Sequence, residues 1–411
     1  MRGCDLIVVG GGPAGMMAAG RAAEKGRRVL LLERGPSLGR KLLLTGGGRC
    51  NLTNTSPPGG LISAFGPTGD FLRKALAAFG PDELRQWLQR RGVETVVEAG
   101  GRVFPAARDS RVVLETLVAY MDGGRVEVRM RHRVESLIIE RSRVGGVLAA
   151  CGELRAPRVL VATGALSYPA TGSTGDGYSL ARQAGHKVSP TFPAIAGLET
   201  EERWPRSLKG TAVRATQIVA RLEGGRRVAN AAGDALCTHY GLSGPAVFDV
   251  SAAVVNVLRR GHRVWLELDL APEVAAEALE QEMIEAAAGQ SHRTLRRVLS
   301  ARVPLRMAAV LLGLAGVDPD RRMGALTRLE RHAIVRQVKH VQLHVTRPRP
   351  VEEAIVTGGG VSVGELDDER MESRLIPGLF FAGEVLDVHG PTGGFNLQQA
   401  FSTGYVAGSA A

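Results

Sequence analysis

The sequence predicts an α/β fold in which the first and last stretches of the chain build one parallel-sheet domain around an inserted β domain and a helical segment. Three observations predict it. Residues 5–35, DLIVVGGGPAGMMAAGRAAEKGRRVLLLERG, read as strand, glycine turn, helix and second strand. Residues 353–411 return to the same pattern of glycine-rich turns, a buried strand and a helix. Between them, from about residue 190, alternating strands and then a strongly helical run take over.

Leu6 to Val9 is a short apolar run, as expected of a strand buried on both faces. Gly10, Gly12 and Gly15 follow as G-x-G-x-x-G. The first glycine permits the tight turn, the second lets a pyrophosphate approach the backbone, and the third lets helix and strand pack closely. Pro13 and Ala14 open the helix, where the missing proline N–H costs nothing. Gly26 is a natural residue to end it. Val29 to Leu32 is the second strand, and Glu33 ends it 23 residues after Gly10. That spacing suits an acid binding a ribose 2′-OH, with Arg34 beside it, and so favours FAD or NAD over NADP. The helix N-terminus supplies N–H donors and a positive dipole end to the phosphates.

Residues 36–59 read as a long polar loop beside the nucleotide site. Gly46, Gly47 and Gly48 allow close backbone approach, and Arg40, Lys41 and Arg49 are candidates to neutralise the pyrophosphate or bind an anionic substrate. Residues 68–92 pattern as amphipathic helices with Trp87 in the core. Val93–Glu98 and Gly101–Pro105 read as strands, Ser110–Met121 as a helix, and Val126–Leu148 as an antiparallel meander. Arg158–Gly164 is another buried strand ending at Thr163-Gly164, which fits the sheet edge over the adenosine side of a dinucleotide.

After Ser189, Thr211–Leu222, Arg226–Asn230 and Val264–Leu270 read as strands, with a polar, glycine-rich segment at Asp234–Ser251. Pro272–Gly316 and Arg328–Arg336 read as helical, and His340–Thr346 alternates again. Ala354–Thr357 leads into Gly358, Gly359 and Gly360; Leu379–Ala382 is a buried strand ending at Gly383-Glu384. Gly393, Gly394 and Asn396 precede a helix from about Leu397 to Ala407. Gly383-Glu384 suits a contact to a flavin ribityl chain, and the helix start at Gly394–Leu397 suits the flavin N1/O2 edge. With one dinucleotide fingerprint and no second, that fingerprint is assigned to non-covalent FAD. The expected organisation is an FAD-binding domain from residues 1–189 and 353–411, an inserted β domain from 190–270 with a return strand at 336–352, and a helical subdomain at 271–335.

Composition agrees with a multi-domain globular chain: 411 residues, 44% hydrophobic and 23% charged. Cys4, Cys50, Cys151 and Cys237 are scattered without C-x-x-C spacing, which argues against a disulfide framework or a metal site and for a reducing cytoplasm. The chain enters a strand at once, so no signal peptide is expected. The longest apolar stretch, Met307–Val317, is too short to span a bilayer, and no membrane contact is expected. The net charge of +11 is concentrated: Gln290–Pro350 holds thirteen Lys or Arg against Asp318, Asp320 and Glu330. Such a segment is a nucleic-acid footprint, an anionic-membrane contact or a solvated face. Arg293, Arg296 and Arg297, at i, i+3 and i+4, are expected to share a helix face and bind phosphates. The alternative is pairing with carboxylates elsewhere in the chain.

The sequence resembles the BaiN/RdsA, or YhiN-like, FAD-dependent oxidoreductases, a family that includes aminoacetone oxidases. The resemblance spans nearly the whole chain and rests on GGGPAGMMAA, GRKLLLTGGGRCNLTN, GRVFPAARDS, ATGALSYPATGSTGDGY, THYGLSGPAVFDVS, TGGGVSVGELDDERMESRL and LFFAGEVLDVHGPTGGFNLQQAFSTGYVAG. It implies a Rossmann-like FAD-binding domain from both chain ends, an inserted β-barrel-like domain and a helical subdomain. It also implies one of three activities: reduction of a uridine to dihydrouridine in large-subunit ribosomal RNA, bile-acid reduction, or aminoacetone oxidation. NAD(P)H is the expected transient electron donor. The partners are then ribosomal RNA or its precursor, or a small-molecule substrate in the alternative reading.

Reduction of uracil C5=C6 needs a hydride at C6, which reduced flavin N5 can give, and a proton at C5 from a positioned acid. Cys50, in the glycine-rich loop, is the first candidate acid, and His239 in THYGLSGP the second. A small buried packing residue is the other role open to Cys50. A flavin-bearing RNA-binding factor without turnover is the third functional class these features allow.

Overall fold

Five short apolar runs form one parallel sheet in the computed structural model, which describes residues 3–411. Their order across the sheet is Leu379–Phe381, Val159–Val161, Leu6–Val9, Val29–Glu33 and Glu127–Met130. The first strand lies centrally, with Val9 opposite both Val161 and Leu32. Alternate residues feed two cores. Leu6, Val8, Leu31, Leu160 and Phe380 face one, and Ile7, Val9, Leu30, Val161 and Phe381 face the other. Burial on both faces explains the continuous apolar runs in the sequence.

Helix Pro13–Glu24 covers the first face together with helices Ser110–Gly123 and Phe395–Ala410. The last of these crosses the first at very short range. A Cβ at Gly404 would lie 2.4 Å from the Ala14 carbonyl oxygen, and one at Gly408 would lie 2.3 Å from that of Ala18. Two glycines four residues apart thus form the flat stripe on which the first helix rests. The opposite face is covered by a meander, Val134–Glu140, Arg143–Ala149 and Gly152–Arg155, and by helix Asp176–Gln183.

The meander expected at Val126–Leu148 therefore begins later, at Val134, and runs on to Arg155. Glu127–Met130 joins the parallel sheet beside Val29–Glu33, and the chain turns at Arg131, where φ is 59°. Residues 36–59 are not plain loop either: they hold a 3-10 turn, Leu42–Gly48, and a strand, Thr53–Asn54, paired with Arg102–Pro105. Gly358–Gly360 lie inside strand Val356–Val361 and not in a turn after it. Glycine is needed there because a Cβ at Gly358 would meet the Phe192 ring at 2.3 Å and one at Gly359 would meet the Pro190 carbonyl at 2.4 Å.

The chain divides into two compact units, one running up to Phe192 and resuming at Val351–Ala411, the other Pro193–Pro350. The second unit is a closed six-stranded barrel, in the order Leu198–Thr200, Gly241–Ser243, Arg227–Cys237, Ala212–Leu222, Val264–Asp269 and Val341–Pro348. Helices Ala276–Gly289, Leu295–Leu299, Leu305–Leu314 and Arg328–Lys339 share one continuous core with it. The segment Asp234–Ser251, read as polar and glycine-rich, holds the end of strand Arg227–Cys237 and strand Gly241–Ser243, and its second half departs from that reading. There it begins helix Pro245–Leu258, which places Val247, Val250 and Val254 in the barrel core. The apolar residues from Ala246 onward recur at helical spacing, and this outweighs the glycines before them. Among the described residues, no helix is long and apolar enough to cross a membrane.

Candidate functional site

The three fingerprint glycines do three different things. At Gly10 φ is 109°, and a Cβ would lie 2.5 Å from the Ala162 carbonyl oxygen, so the turn can close only on glycine. At Gly15 a Cβ would lie 1.9 Å from the Gly10 carbonyl oxygen, which seals the helix onto the turn. At Gly12 a Cβ would meet nothing within 4 Å. The space over Gly12 is an open cradle at the helix N-terminus, where Ala14 and Gly15 present N–H groups with no intrahelical acceptor.

Glu33 is buried at the end of the second strand. Its Oε2 accepts from the Gly11 N–H at 2.8 Å and its Oε1 from the Gly35 N–H at 2.6 Å. Each oxygen retains a lone pair for a ribose hydroxyl. Arg34 is engaged by other side chains. It pairs with Asp176 at 3.0 Å and donates to Thr174. Arg40 has no ion pair or hydrogen bond among the described residues and lies beside Gly35, so its charge is available to an anion.

Segments following several strands meet at the carboxyl end of the sheet, the edge at which open α/β sheets bind ligands. The Lys41 Nζ lies 2.5 Å from Glu384 Oε2 and donates to Ser167 Oγ at 2.6 Å. Glu384 Oε1 accepts from the Ser167 hydroxyl and from the Thr357 N–H, both at 3.3 Å. The Thr357 hydroxyl in turn accepts from the Ser167 N–H at 3.1 Å. Gly383, at φ 78°, is held by the Thr403 hydroxyl on its N–H and the Gln399 amide on its carbonyl. Thr163 packs inward, its Oγ1 2.2 Å from where a Gly177 Cβ would be, so this end of the strand offers backbone, with Gly164 at φ 73°.

At the start of the last helix, Gly393 and Gly394 have φ of 104° and 101°. A Cβ on Gly394 would lie 2.2 Å from the Thr53 carbonyl oxygen, and Asn54 donates to the Gly393 carbonyl at 3.1 Å. Asn396 spends its amide on Gly390 and Pro391, shaping the preceding turn. Leu397 packs on the core, so it and Asn396 can offer a ligand only backbone N–H groups.

The glycine-rich segment departs from its expected roles. Gly48, at φ 88°, closes the turn before Arg49. Arg49 faces Glu98, 3.3 Å away, and its guanidinium stacks over Phe104 at 4.4 Å. Cys50 is 0% exposed, packed among the apolar residues of the first core, and its N–H is taken by the Thr45 carbonyl. Burial pushes its thiol up to about 12, only partly offset by a hydrogen bond with Thr45. A thiol with no surface cannot hand a proton to a substrate, so the structure gives Cys50 the packing role.

His239 lies exposed on the Pro193–Pro350 unit, edge-on against Tyr240 at 4.9 Å. Arg293, Arg296 and Arg297 are all exposed, but they do not share a helix face. The helix begins only at Leu295, with Thr294 extended at its start, so Arg293 stands outside it. Arg293 bonds Gln290, and Arg296 pairs with Asp320 at 2.8 Å. Much of the remaining basic segment is also compensated. Arg302 pairs with Glu282, Arg321 with Glu330, Arg331 with Glu280, Lys339 with Asp269, and Arg347 and Arg349 with Glu199. Arg297, Arg322, Arg328 and Arg336 are exposed without an ion pair among the described residues.

The cradle over Gly12, the free helix N–H groups and the carboxylate of Glu33 fit a dinucleotide. Sequence reasoning missed Ser167 and Thr357. Both lie in conspicuous motifs, but their partners are 217 and 27 residues away at Glu384, a pairing that no local pattern displays. Among the described residues no group of three or more His, Cys, Asp or Glu could hold a metal ion.

Residues 4–410 match the family described as HI0933-like protein Rossmann domain. The chain is 33% identical over 407 residues to the 3-dehydro-bile acid delta(4,6)-reductase of Clostridium scindens, covering 98% of each. It is 31% identical over 405 residues to the ribosomal RNA dihydrouridine synthase of Escherichia coli, covering 98% of this chain and 96% of that one. A protein of the same name from Haemophilus influenzae is 28% identical over 406 residues, covering 98% of this chain and 96% of that one. Among solved structures, 3-ketosteroid delta1-dehydrogenase from Sterolibacterium denitrificans superposes with a TM-score of 0.55 at 15% identity, covering 99% of both chains. That likeness speaks for the fold alone.

Proposed function

The chain belongs to the HI0933-like Rossmann-domain family and is an FAD-dependent oxidoreductase, and on that premise we propose that it reduces a uridine of ribosomal RNA to dihydrouridine. The observation that carries the reading is the end-to-end likeness to two relatives, from different organisms, that bear the name ribosomal RNA dihydrouridine synthase. The exposed Arg297, Arg322, Arg328 and Arg336, with no carboxylate partner among the described residues, supply sites for phosphates.

Bound FAD supplies hydride chemistry at a ring nitrogen. In this reading the chain holds the pyrophosphate over Gly12, the ribose at Glu33 and the ribityl end at Glu384. Arg40 adds a positive charge near the ribose end. His239, exposed where Cys50 is sealed, is the side chain we propose as the acid that protonates C5 of the uracil. NAD(P)H is the proposed source of reducing equivalents, ribosomal RNA or its precursor the partner, and the cytoplasm the location that follows.

A second reading, reduction of a small enone, is favoured by the relative named as a bile acid reductase. The two reactions are chemically close. Each adds hydride and a proton across a C=C bond conjugated to a carbonyl. Mass spectrometry of ribosomal RNA from a deletion strain, with and without the restored gene, tests the first. Loss and recovery of one dihydrouridine is the expected result. Unchanged RNA, together with turnover of a 3-oxo-4,6-diene steroid by the purified protein, would replace it with the second.

A further inference from the structure

Lys41 reads from sequence as a phosphate-neutralising residue, but its ammonium is already engaged by Glu384 and Ser167. The place of Glu384 shows why this matters. A Cβ on the neighbouring Gly383 would lie 2.8 Å from the Ala14 Cβ, in the first turn of the fingerprint helix. The Glu384 carboxylate is therefore carried on backbone that touches the turn offering its N–H groups to a pyrophosphate. An ionised carboxylate so close to a dianionic group opposes its binding. A carboxylate is nonetheless useful there, because it accepts hydrogen bonds from ribityl hydroxyls.

We infer that Lys41 is a positioning residue for FAD that acts through Glu384, cancelling the carboxylate's charge so that it can accept hydrogen bonds beside the pyrophosphate without repelling it. The inference rests on the FAD reading of the site and deepens it. Geometry carries it. The pair is 2.5 Å apart, with the Lys41 and Glu384 side chains 23% and 19% exposed, open enough to meet a ligand. Ser167, which bridges them, is fully buried and fixes the arrangement from behind. Lys41 is the one charged group that bonds Glu384 among the described residues. The other ionisable groups that sense each other here are Asp387 and Tyr178. The Tyr178 hydroxyl is pushed up first by burial and then by the charges of Glu384 and Asp387.

The test is FAD affinity of the apoprotein, measured by flavin fluorescence at pH 8, for wild type, Lys41→Met, Lys41→Arg, Glu384→Gln and the double variant Lys41→Met/Glu384→Gln. Lys41→Met is expected to weaken FAD binding about tenfold at pH 8, the order expected for one uncompensated charge near a phosphate. Lys41→Arg should retain most of the affinity, and the double variant should bind more tightly than Lys41→Met alone. If Lys41→Met does not fold, recovery of fold and FAD binding in the double variant supports the inference, and failure to recover overturns it. An affinity loss in Lys41→Met that is not relieved by Glu384→Gln also overturns it. Wild-type apoprotein that binds no FAD at all would instead sink the cofactor reading.

Discussion

Glu33 and Gly11 are joined by a 2.8 Å hydrogen bond from the glycine N–H to the carboxylate, so the acid expected to meet the ribose also fixes the glycine turn. Its second oxygen holds Gly35. Glu33→Gln keeps the shape but turns one of these two acceptors into a donor facing an N–H. The expected result is loss of both FAD affinity and thermal stability, the latter by about 1–3 kcal/mol for a buried donor left without an acceptor. A calorimetric scan of the FAD-free protein separates the two effects, since a purely ligand-binding acid would leave its melting temperature unchanged.

The fingerprint glycines give a sharper contrast. Gly12→Val puts a side chain into open space, at an ordinary φ of −82°, and should abolish FAD binding while the apoprotein melts as before. Gly15→Ala forces a methyl against the Gly10 carbonyl and should destabilise the apoprotein by about 1–3 kcal/mol, the usual range for overpacking. Equal melting temperatures for the two variants would contradict this division of labour.

Cys50→Ala removes one buried sulfur from a closed core. Stability should fall by about 1–2 kcal/mol, below the range for larger truncations. Turnover per bound flavin should stay the same. A large drop in turnover with unchanged stability would return Cys50 to the chemistry. Thiol reagents should label exposed Cys151 well before Cys50.

His186 is buried, with Nδ1 3.1 Å from Glu365 and Nε2 2.7 Å from the Ser373 hydroxyl. Burial lowers its pKa below 6.5, and the hydrogen bond to Glu365 only partly opposes this. The folded protein therefore holds this proton less tightly than the unfolded chain. The stabilisation is complete above about pH 6.5, the unfolded value, and is lost as pH falls from there through the lower folded value. Urea midpoints at pH 7.5 and 5.5 should differ more in wild type than in His186→Gln. Equal differences would show that other groups set the acid limit.

For the basic segment, replacing Arg297, Arg322 and Arg328 by Gln should flatten the salt dependence of RNA binding, by about 0.7 to 0.9 in log–log slope for each phosphate no longer neutralised. Replacing Arg302 and Arg321, which pair with Glu282 and Glu330, should chiefly affect stability. A slope that responds equally to both sets would mean that the pairs open to bind RNA.

Much of the sheet was legible, because buried parallel strands print themselves as apolar runs and a fingerprint glycine has a backbone reason to be there. Leu6–Val9, Val29–Glu33 and Leu379–Phe381 all lie where those runs place them. Helix Pro245–Leu258 was hidden by the glycines before it, and Gly358–Gly360 by the habit of reading glycines as turns, when here they make room for Phe192. At the site, what was illegible was which cations are already spoken for. Arg49 and Glu98, or Lys41 and Glu384, are neighbours only after folding, and charge counted along a chain cannot reveal such pairs.

The glycine stripe of Gly404 and Gly408 against Ala14 and Ala18 also sets an order of events during synthesis. The fingerprint helix emerges from the ribosome early, yet the surface it rests on, and the sheet neighbour Leu379–Phe381, are translated more than 350 residues later. The Pro193–Pro350 unit has its own core and is translated before that segment. Until the late segment arrives, the nascent first unit lacks one strand of its parallel sheet, the separate strand Val356–Val361 and the partner of its first helix, and its apolar face waits uncovered. The dinucleotide cradle is thereby timed to the end of translation, and premature termination after the barrel would leave a folded insert attached to a cofactor domain that cannot close.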